Sequence, residues 1–356
     1  MKQQPQTNSA HQFSVAPMLD WTDRHCRVFH RKLSKHAWLY SEMVTTGAMI
    51  YGQNLERFIG LSVEEESPVV LQLGGSQPDE LAQCAKVGEE WGYSEINLNV
   101  GCPSDRVQNN LMGACLMGHP QLVAEDVAAM KAAVSIPVTV KTRIGIDDQD
   151  AYETLYQFVA GLVEAGVDGV IIHARKAWLQ GLSPKENREI PPLRYEWVHQ
   201  LKADFPQLPI SLNGGLTDLT QAKAHLQAWQ DLPAVDGVML GRAIYERPYL
   251  LAEVDQHFYH DPHPIPTRFE VVEQMLPYIE QHLQQGGKLI QVTRHMLGLF
   301  HGLPGGRIWR RYLSQNAFKP EAGVQTVQAA LQLVQQEMER FTAYQQQRQN
   351  TEEGSA

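Results

Sequence analysis

The 356-residue chain holds only four cysteines, Cys26, Cys84, Cys102 and Cys115, and none falls in a CxxC pair or at metal-ligand spacing. That argues against a disulfide framework and against structural zinc. No apolar run approaches the roughly 18 to 20 residues that cross a bilayer, and residues 1–12 lack the basic-then-apolar pattern of a secretory signal. The expectation is a cytoplasmic protein with no membrane and no obligate protein partner. No GxGxxG follows a candidate strand, so a dinucleotide resident on a Rossmann fold is not indicated. Acidic residues are missing between Glu280 and Glu321, a window that contains Lys288, Arg294, Arg307, Arg310, Arg311, Lys319 and three histidines. The formal net charge of −10 argues against a polyanion partner for the chain as a whole. A local basic face is nonetheless enough, because the Debye length is about 8 Å at physiological salt.

What is present reads as a barrel. Eight short apolar runs, at 13–16, 38–41, 69–73, 95–99, 138–141, 169–173, 210–213 and 237–240, each lead into a polar or glycine-bearing turn. Helical patterns fill the spacers: 78–91 carries Leu81, Cys84, Ala85 and Val87, and 151–165 carries Leu155, Phe158, Val159, Leu162 and Val163. Strand and helix alternating in this way predict an α/β chain built as a (β/α)8 barrel. After Arg247-Pro248-Tyr249 the pattern changes to a turn-rich linker and then to helical periodicity alone, over 269–285, 289–300, 307–316 and 323–344. The expected organisation is a barrel over 1–258, a small helical bundle over 259–344 and a polar, disordered tail over 345–356.

Polar side chains gather where the strands end, which is where barrel enzymes place their sites. Gln72 ends the third strand, Asn97, Asn99 and Cys102 the fourth, Lys141 and Arg143 the fifth, and His173 and Arg175 the sixth. One such group is often a satisfied core residue; four successive strands ending this way point to a site. The seventh and eighth end in Asn213-Gly214-Gly215 and Gly241-Arg242, matching the recurrent phosphate site of such barrels. A mononucleotide such as FMN fits better than a dinucleotide. Gln72 is placed for the pyrimidine edge of a flavin and Lys141 for its anionic reduced form. In Asn99-Val100-Gly101-Cys102-Pro103 a thiol follows a tight turn, and a thiol serves either as a general acid or, deprotonated, as a nucleophile. Cys26, Cys84 and Cys115 are expected to be packing residues.

Together these motifs resemble the tRNA-dihydrouridine synthase family. The resemblance runs through APMLDWTDRHCR, INLNVGCPS, VKTRIGIDD, IIHAR, LNGG and MLGRAIYERPY, and two further stretches, LSPKENREIPPL and HMLGLFHGLPGGRIWRRYLS, resemble its A-type branch. It implies a flavoenzyme that reduces uridines 20 and 20a of the tRNA D-loop with NADPH, NADH being possible. Pro17, Met18 and Leu19 would line the flavin, with Gln72 and Lys141 on its rings and His173 supporting the ring and phosphate side. Asn213, Gly214, Gly215, Gly241 and Arg242 would hold the phosphate. Cys102 would be the proton donor and Asn99 a contact to the target base. Lys185, Asn187 and Arg188, with Arg307 and Arg310 in the helical part, would touch tRNA. Two competing readings are an FMN barrel acting on a free pyrimidine, as a dihydroorotate dehydrogenase does, and a nonenzymatic tRNA-binding protein. The acid-free basic extension speaks against the first, and Cys102 with Lys141 against the second.

Overall fold

Branched apolar runs such as Val69-Val70-Leu71 and Val170-Ile171-Ile172 favour strands buried on both faces, and both are fully buried here. The computed structural model describes residues 11–149 and 151–353. Its eight strands are β1 (Phe13–Val15), β2 (Leu39–Thr45), β3 (Val69–Gly74), β4 (Glu95–Val100), β5 (Val138–Arg143), β6 (Gly169–His173), β7 (Ile210–Asn213) and β8 (Gly237–Leu240). All pair in parallel in the order β1-β8-β7-β6-β5-β4-β3-β2. The ring closes where the Val15 amide donates to the Trp38 carbonyl (2.8 Å) and the Trp38 amide to that of Phe13 (3.0 Å). The (β/α)8 barrel expected from the alternation is therefore present.

Alternation along each strand sorts the side chains. Ile96, Leu98 and Val100 of β4 join the large apolar core between sheet and helices, while Glu95, Asn97 and Asn99 face the lumen. Across the lumen Ala16, Tyr40, Val70, Ile171 and Met239 form a separate apolar cluster. Below the amides, Glu95 accepts from Thr139 Oγ1 at 2.5 Å, and His11 Nε2 lies 3.2 Å from its other oxygen. Burial pushes the Glu95 carboxyl up to about 8 and the His11 imidazole down to about 4, so at neutral pH the pair meets largely uncharged.

The C-terminal helices lie close to where they were expected, at Arg268–Gln284, Leu289–Thr293, Gly306–Asn316 and Val324–Glu353. Two bounds differ. The helix expected over 289–300 stops at Thr293 and gives way to turns. Arg294 and His295 are held instead by Asp23, and the backbone at Gly298 runs so close to Glu246 that an added Cβ would sit 2.4 Å from its carbonyl oxygen. The last helix continues past Tyr344 to Glu353, so much of the expected disordered tail is helical; its many Gln, Glu and Arg residues favour helix even where no core covers them. Residues 1–10 of the expected barrel segment, Asp150, and 354–356 of the tail lie outside the described residues.

One joint ties the extension to the barrel mouth. Asp23, which caps the helix Arg24–Arg31, accepts from the Cys26 amide (2.9 Å) and Arg294 Nη2 (2.6 Å), and His295 Nε2 lies 3.0 Å away. Burial alone would raise its carboxyl, but His295, the Cys26 amide and Arg294 together hold it well below the usual carboxylate range. Arg294 is thus committed to the joint, and His295 is buried in it.

The Glu95 environment makes stability depend on pH. A proton kept in the fold to about pH 8, but released by the unfolded chain near 4.5, means stability falls as pH rises through that window. Glu95→Gln should gain on the parent by on the order of 3 kcal/mol between pH 5 and pH 8, read from urea denaturation at both values. An equal difference at the two pH values would contradict this.

Candidate active site

The C-terminal ends of β3 and β4 are stitched together by primary amides. Gln72 Nε2 donates to Asn97 Oδ1, Asn99 Nδ2 to Gln72 Oε1, and Asn97 Nδ2 to Thr139 Oγ1, each at 2.8 Å. Asn99 then turns outward: its Oδ1 accepts from the amides of Gly101 (3.1 Å) and Cys102 (3.0 Å). The Cys102 carbonyl accepts from the Ala114 amide at 2.9 Å. A Cβ at Gly113, where φ is 73°, would lie 2.4 Å from that carbonyl oxygen, so only glycine allows the close approach. The Cys102 thiol is thereby held at the rim of the barrel, partly exposed, while Cys26 and Cys84 are buried packing residues as expected. Cys115 departs from that expectation: it is partly exposed, with its thiol against the Met112 carbonyl at 3.1 Å.

Next to this turn the lumen is cationic. Lys141, register partner of Asn99, donates from Nζ to Asn213 Oδ1 at 3.1 Å, and Asn213 Nδ2 donates to the Met239 carbonyl at 2.8 Å. Burial, reinforced by Arg143, pushes the Lys141 ammonium down to about 7; burial also brings the Arg143 guanidinium to about 10. His173 is driven well below its usual range by burial and then by Arg143, Lys141, Arg175 and Arg188, so its imidazole is neutral. Buried cations of this kind regain charge when an anion enters, so such a pocket favours one.

Glycines open the far side. Gly214 has φ 108° and Gly215 φ 72°; a Cβ on Gly214 would lie 2.4 Å from His173 Cδ2, and one on Gly215 2.7 Å from the Tyr195 hydroxyl. Tyr195 fixes this turn by donating to the Gly214 carbonyl at 2.7 Å. Gly241 precedes the short helix Arg242–Glu246, and its Cα side faces Ala16 and Met18 of the first loop. That loop carries Pro17 and Met18 half-buried and Leu19 68% exposed. Its apex, Asp20, sits at φ 63° and is pinned by its amide to Glu42 Oε1 at 2.5 Å.

Of the residues singled out in the sequence, Cys102, Asn99, Gln72, Lys141, His173, Asn213, Gly214, Gly215, Gly241, Met18, Pro17 and Leu19 therefore share one mouth. Arg242 shares it too, but is paired with Glu189 at 2.7 Å, a contact that an incoming phosphate would have to displace. Arg307 and Arg310 are exposed on the helix Gly306–Asn316, and Lys185 and Arg188 on the loop after β6. Asn187 requires correction. It is fully buried, accepts from the Trp178 amide (2.8 Å) and donates to the carbonyls of Trp178 (2.9 Å) and Leu182 (3.2 Å), so it shapes the loop from inside and offers nothing to an RNA.

Comparison with known proteins fits this geometry. The family model described as dihydrouridine synthase (Dus) matches residues 14–337. The chain belongs to the dihydrouridine synthase family. It is 61% identical over 319 residues to the tRNA-dihydrouridine(20/20a) synthase of Vibrio cholerae, covering 89% of this chain and 95% of that protein. It is 60% identical over 323 residues to the protein of the same name from Escherichia coli K12, covering 90% and 91%. Among solved structures, a 2-naphthoyl-CoA reductase complex aligns with TM-score 0.51 at 11% identity, over 69% of this chain and 50% of that one. Morphinone reductase aligns at 0.50 and 14%, over 71% and 88%. At such identities these two show the barrel fold alone.

Sequence reasoning noted Arg143 at the end of its strand but gave it no role in this dihydrouridine synthase. Its Nε donates to the Gly101 carbonyl at 2.8 Å, and its Nη1 to those of Lys176 (3.1 Å) and Asn187 (3.0 Å). It clasps the cysteine turn to the loop after β6, and its place two residues beyond Lys141 on the same strand was the available signal. For the glycine cradle, Gly214→Ala should cost about 1–3 kcal/mol of stability through its positive φ and weaken flavin affinity at least tenfold. Equilibrium dialysis of a flavin nucleotide against the variant checks the second effect, and undiminished binding would show that the cradle holds no phosphate.

Proposed function

We propose that this dihydrouridine synthase reduces the C5–C6 bond of uridines 20 and 20a in the tRNA D-loop, with FMN resident in the barrel mouth and NADPH, or alternatively NADH, as the source of reducing equivalents. The observation that carries the reading is the Cys102 thiol fixed by Asn99 at the rim of a cationic, glycine-edged mouth. The names of the two relatives support the substrate.

The residues present fit a flavin mononucleotide. Gly214, Gly215 and Gly241 leave backbone free to approach a phosphate, with Asn213 and Arg242 beside them. Gln72 and Lys141 would hold the ring system, His173 would support it as a neutral imidazole, and Pro17, Met18 and Leu19 would line it. When bound and reduced, FMN supplies a hydride for C6 of the uracil. The work of the chain is then to hold the base and deliver a proton. Cys102 would give its thiol proton to C5, and Asn99, whose amide nitrogen keeps a second hydrogen beyond the one donated to Gln72, would orient the ring. The negative charge left behind favours the charged forms of Lys141 and Arg143. An anion in the mouth also restores charge to Lys141, which burial otherwise holds near 7.

A uracil within a folded tRNA cannot present its C5–C6 edge to this depth, so the base must be extruded. The barrel (1–258) would then act as the catalytic part and 259–344 as the tRNA-binding part. Arg307 and Arg310 of that part, with Lys185 and Arg188 on the barrel loop after β6, are the candidate phosphate contacts. Among the described residues no helix is long and apolar enough to cross a membrane.

Incubation of unmodified tRNA with protein and NADPH should add two hydrogens within the D-loop, read by mass spectrometry of nuclease fragments; no gain there, or gain on free pyrimidines only, would refute the proposal. Cys102→Ala should keep its bound flavin while turnover falls about 10²- to 10⁴-fold. Full activity in that variant would remove the thiol from the mechanism. Binding of tRNA should weaken steeply as salt rises, and a flat titration would count against the phosphate contacts.

A further inference from the structure

Arg24, His25, His282, Gly287, Lys288 and Gln291 line an open hollow of about 460 Å³ that no carboxylate lines. Its walls come from two distant parts of the chain. Arg24 and His25 begin the helix that leaves the first loop, at the mouth end of β1. His282 to Gln291 run from the end of the helix Arg268–Gln284 through the turn and into the helix Leu289–Thr293.

The hollow is braced from both sides. His25 Nδ1 lies 2.7 Å from the Tyr278 hydroxyl, and the His25 and His282 rings are 4.4 Å apart, edge to face. Gln291 Oε1 accepts from the Lys288 amide at 2.8 Å and lies 2.9 Å from His282 Nε2. Gly287 admits no side chain, since a Cβ there would fall 2.2 Å from the His282 ring. Arg24 has donors to spare: among the described residues its buried Nε has no hydrogen-bond partner, and Nη1 has only the exposed Glu56 carboxylate at 3.9 Å. The fixed positive charges are Arg24 and Lys288, since burial pushes His25 down to about 4 and leaves its imidazole neutral.

We infer that this hollow seats one phosphodiester of the tRNA backbone, with Arg24 and Lys288 as its cations and the histidine pair as its wall. The inference rests on the tRNA reading above and extends it to residues which that reading does not use. Placement argues for it: the helix starting at Arg24 rises from the same rim as Pro17, Met18 and Leu19, so an RNA that feeds a base into the mouth passes over this edge. Recognition of folded RNA through its phosphates and shape needs such spaced cations around the point of extrusion.

The test is the double variant Arg24→Gln/Lys288→Glu, compared with the parent holoenzyme. Its Kd for tRNA should rise at least tenfold at physiological salt, and the slope of log Kd against log salt should fall by about one. The KM for tRNA should rise with kcat held within about twofold, and reduction of the bound flavin by NADPH without tRNA should keep the parent's rate. Unchanged Kd and salt slope, in a parent that binds tRNA and forms dihydrouridine, would overturn the phosphate seat and leave the tRNA reading standing. Slowed flavin reduction with unchanged tRNA binding would assign the hollow to the phosphates of the reductant and equally overturn it. A parent that neither binds nor reduces tRNA removes both readings. Should the double variant fold poorly, Lys288→Gln at an exposed position asks the same question, with a threefold rise in Kd expected and no rise refuting the seat.

Discussion

Asn99 carries two obligations at once, and the rest of the site depends on that coupling. Its amide nitrogen is spent inside the barrel on Gln72, and its oxygen is spent outside on the amides that open the cysteine turn. An aspartate would lose the inward donor and bring an unpaired charge into the lumen; an alanine would free the turn from the sheet. Because the inward bond continues through Gln72 to Asn97 and Thr139, the position of Cys102 is referenced to the floor of the barrel rather than to a surface loop. Such networks rigidify when every member is satisfied, which is what a group that must meet one carbon of a planar base requires.

The same mouth concentrates positive charge that the protein does not neutralise from within. Lys141, Arg143, Arg175 and Arg188 all depress the His173 imidazole, and the carboxylate drawn in at the rim, Glu189, pairs with Arg242. Such an arrangement is costly for an isolated protein and favourable for one that holds an anionic group, because binding returns charge to Lys141 and releases Arg242 from its exposed pair. Arg143 limits the cost of its own burial by donating to three backbone carbonyls, so one buried cation serves both as structural clasp and as part of the field.

Much of this was legible in the primary structure because the barrel imposes a simple rule: short buried strands read as continuous apolar runs, and the residues that end each run face the mouth. That rule found Gln72, Cys102, Lys141, His173 and both glycine turns. It failed where identity depends on which way a loop folds. Asn187 lies between Lys185 and Arg188 in a polar segment, and nothing local reveals that its side chain turns inward to bond the backbone at Trp178 and Leu182. The basic stretch after Glu280 was likewise visible as composition, but only tertiary packing separates Arg294, spent on Asp23, from Arg307 and Arg310, which face solvent. The helix beyond Tyr344 was missed because its polar composition reads as tail, although glutamine, glutamate and arginine sustain a helix once a packed stem has nucleated it.

The joint at Asp23 explains how an extension remote in sequence can serve chemistry in the barrel. Asp23 caps the first helix, and the loop before it carries Met18 and Leu19; the same carboxylate holds Arg294 and faces His295. Trp21 stacks on Tyr245 at 4.3 Å, and the Tyr245 hydroxyl lies 3.1 Å from His295 Nδ1, so the loop is bonded to the helical part on two sides. On the proposed function, extruding a base would mean that force applied to an RNA backbone is resisted at the pocket that receives the base. If the surfaces gripping the backbone and the loop lining the pocket moved independently, binding energy gained at one would not hold the base at the other. Sharing a single ionised carboxylate between them removes that freedom, and its three partners, against the effect of burial, hold it well below the usual carboxylate range so that it stays charged at neutral pH.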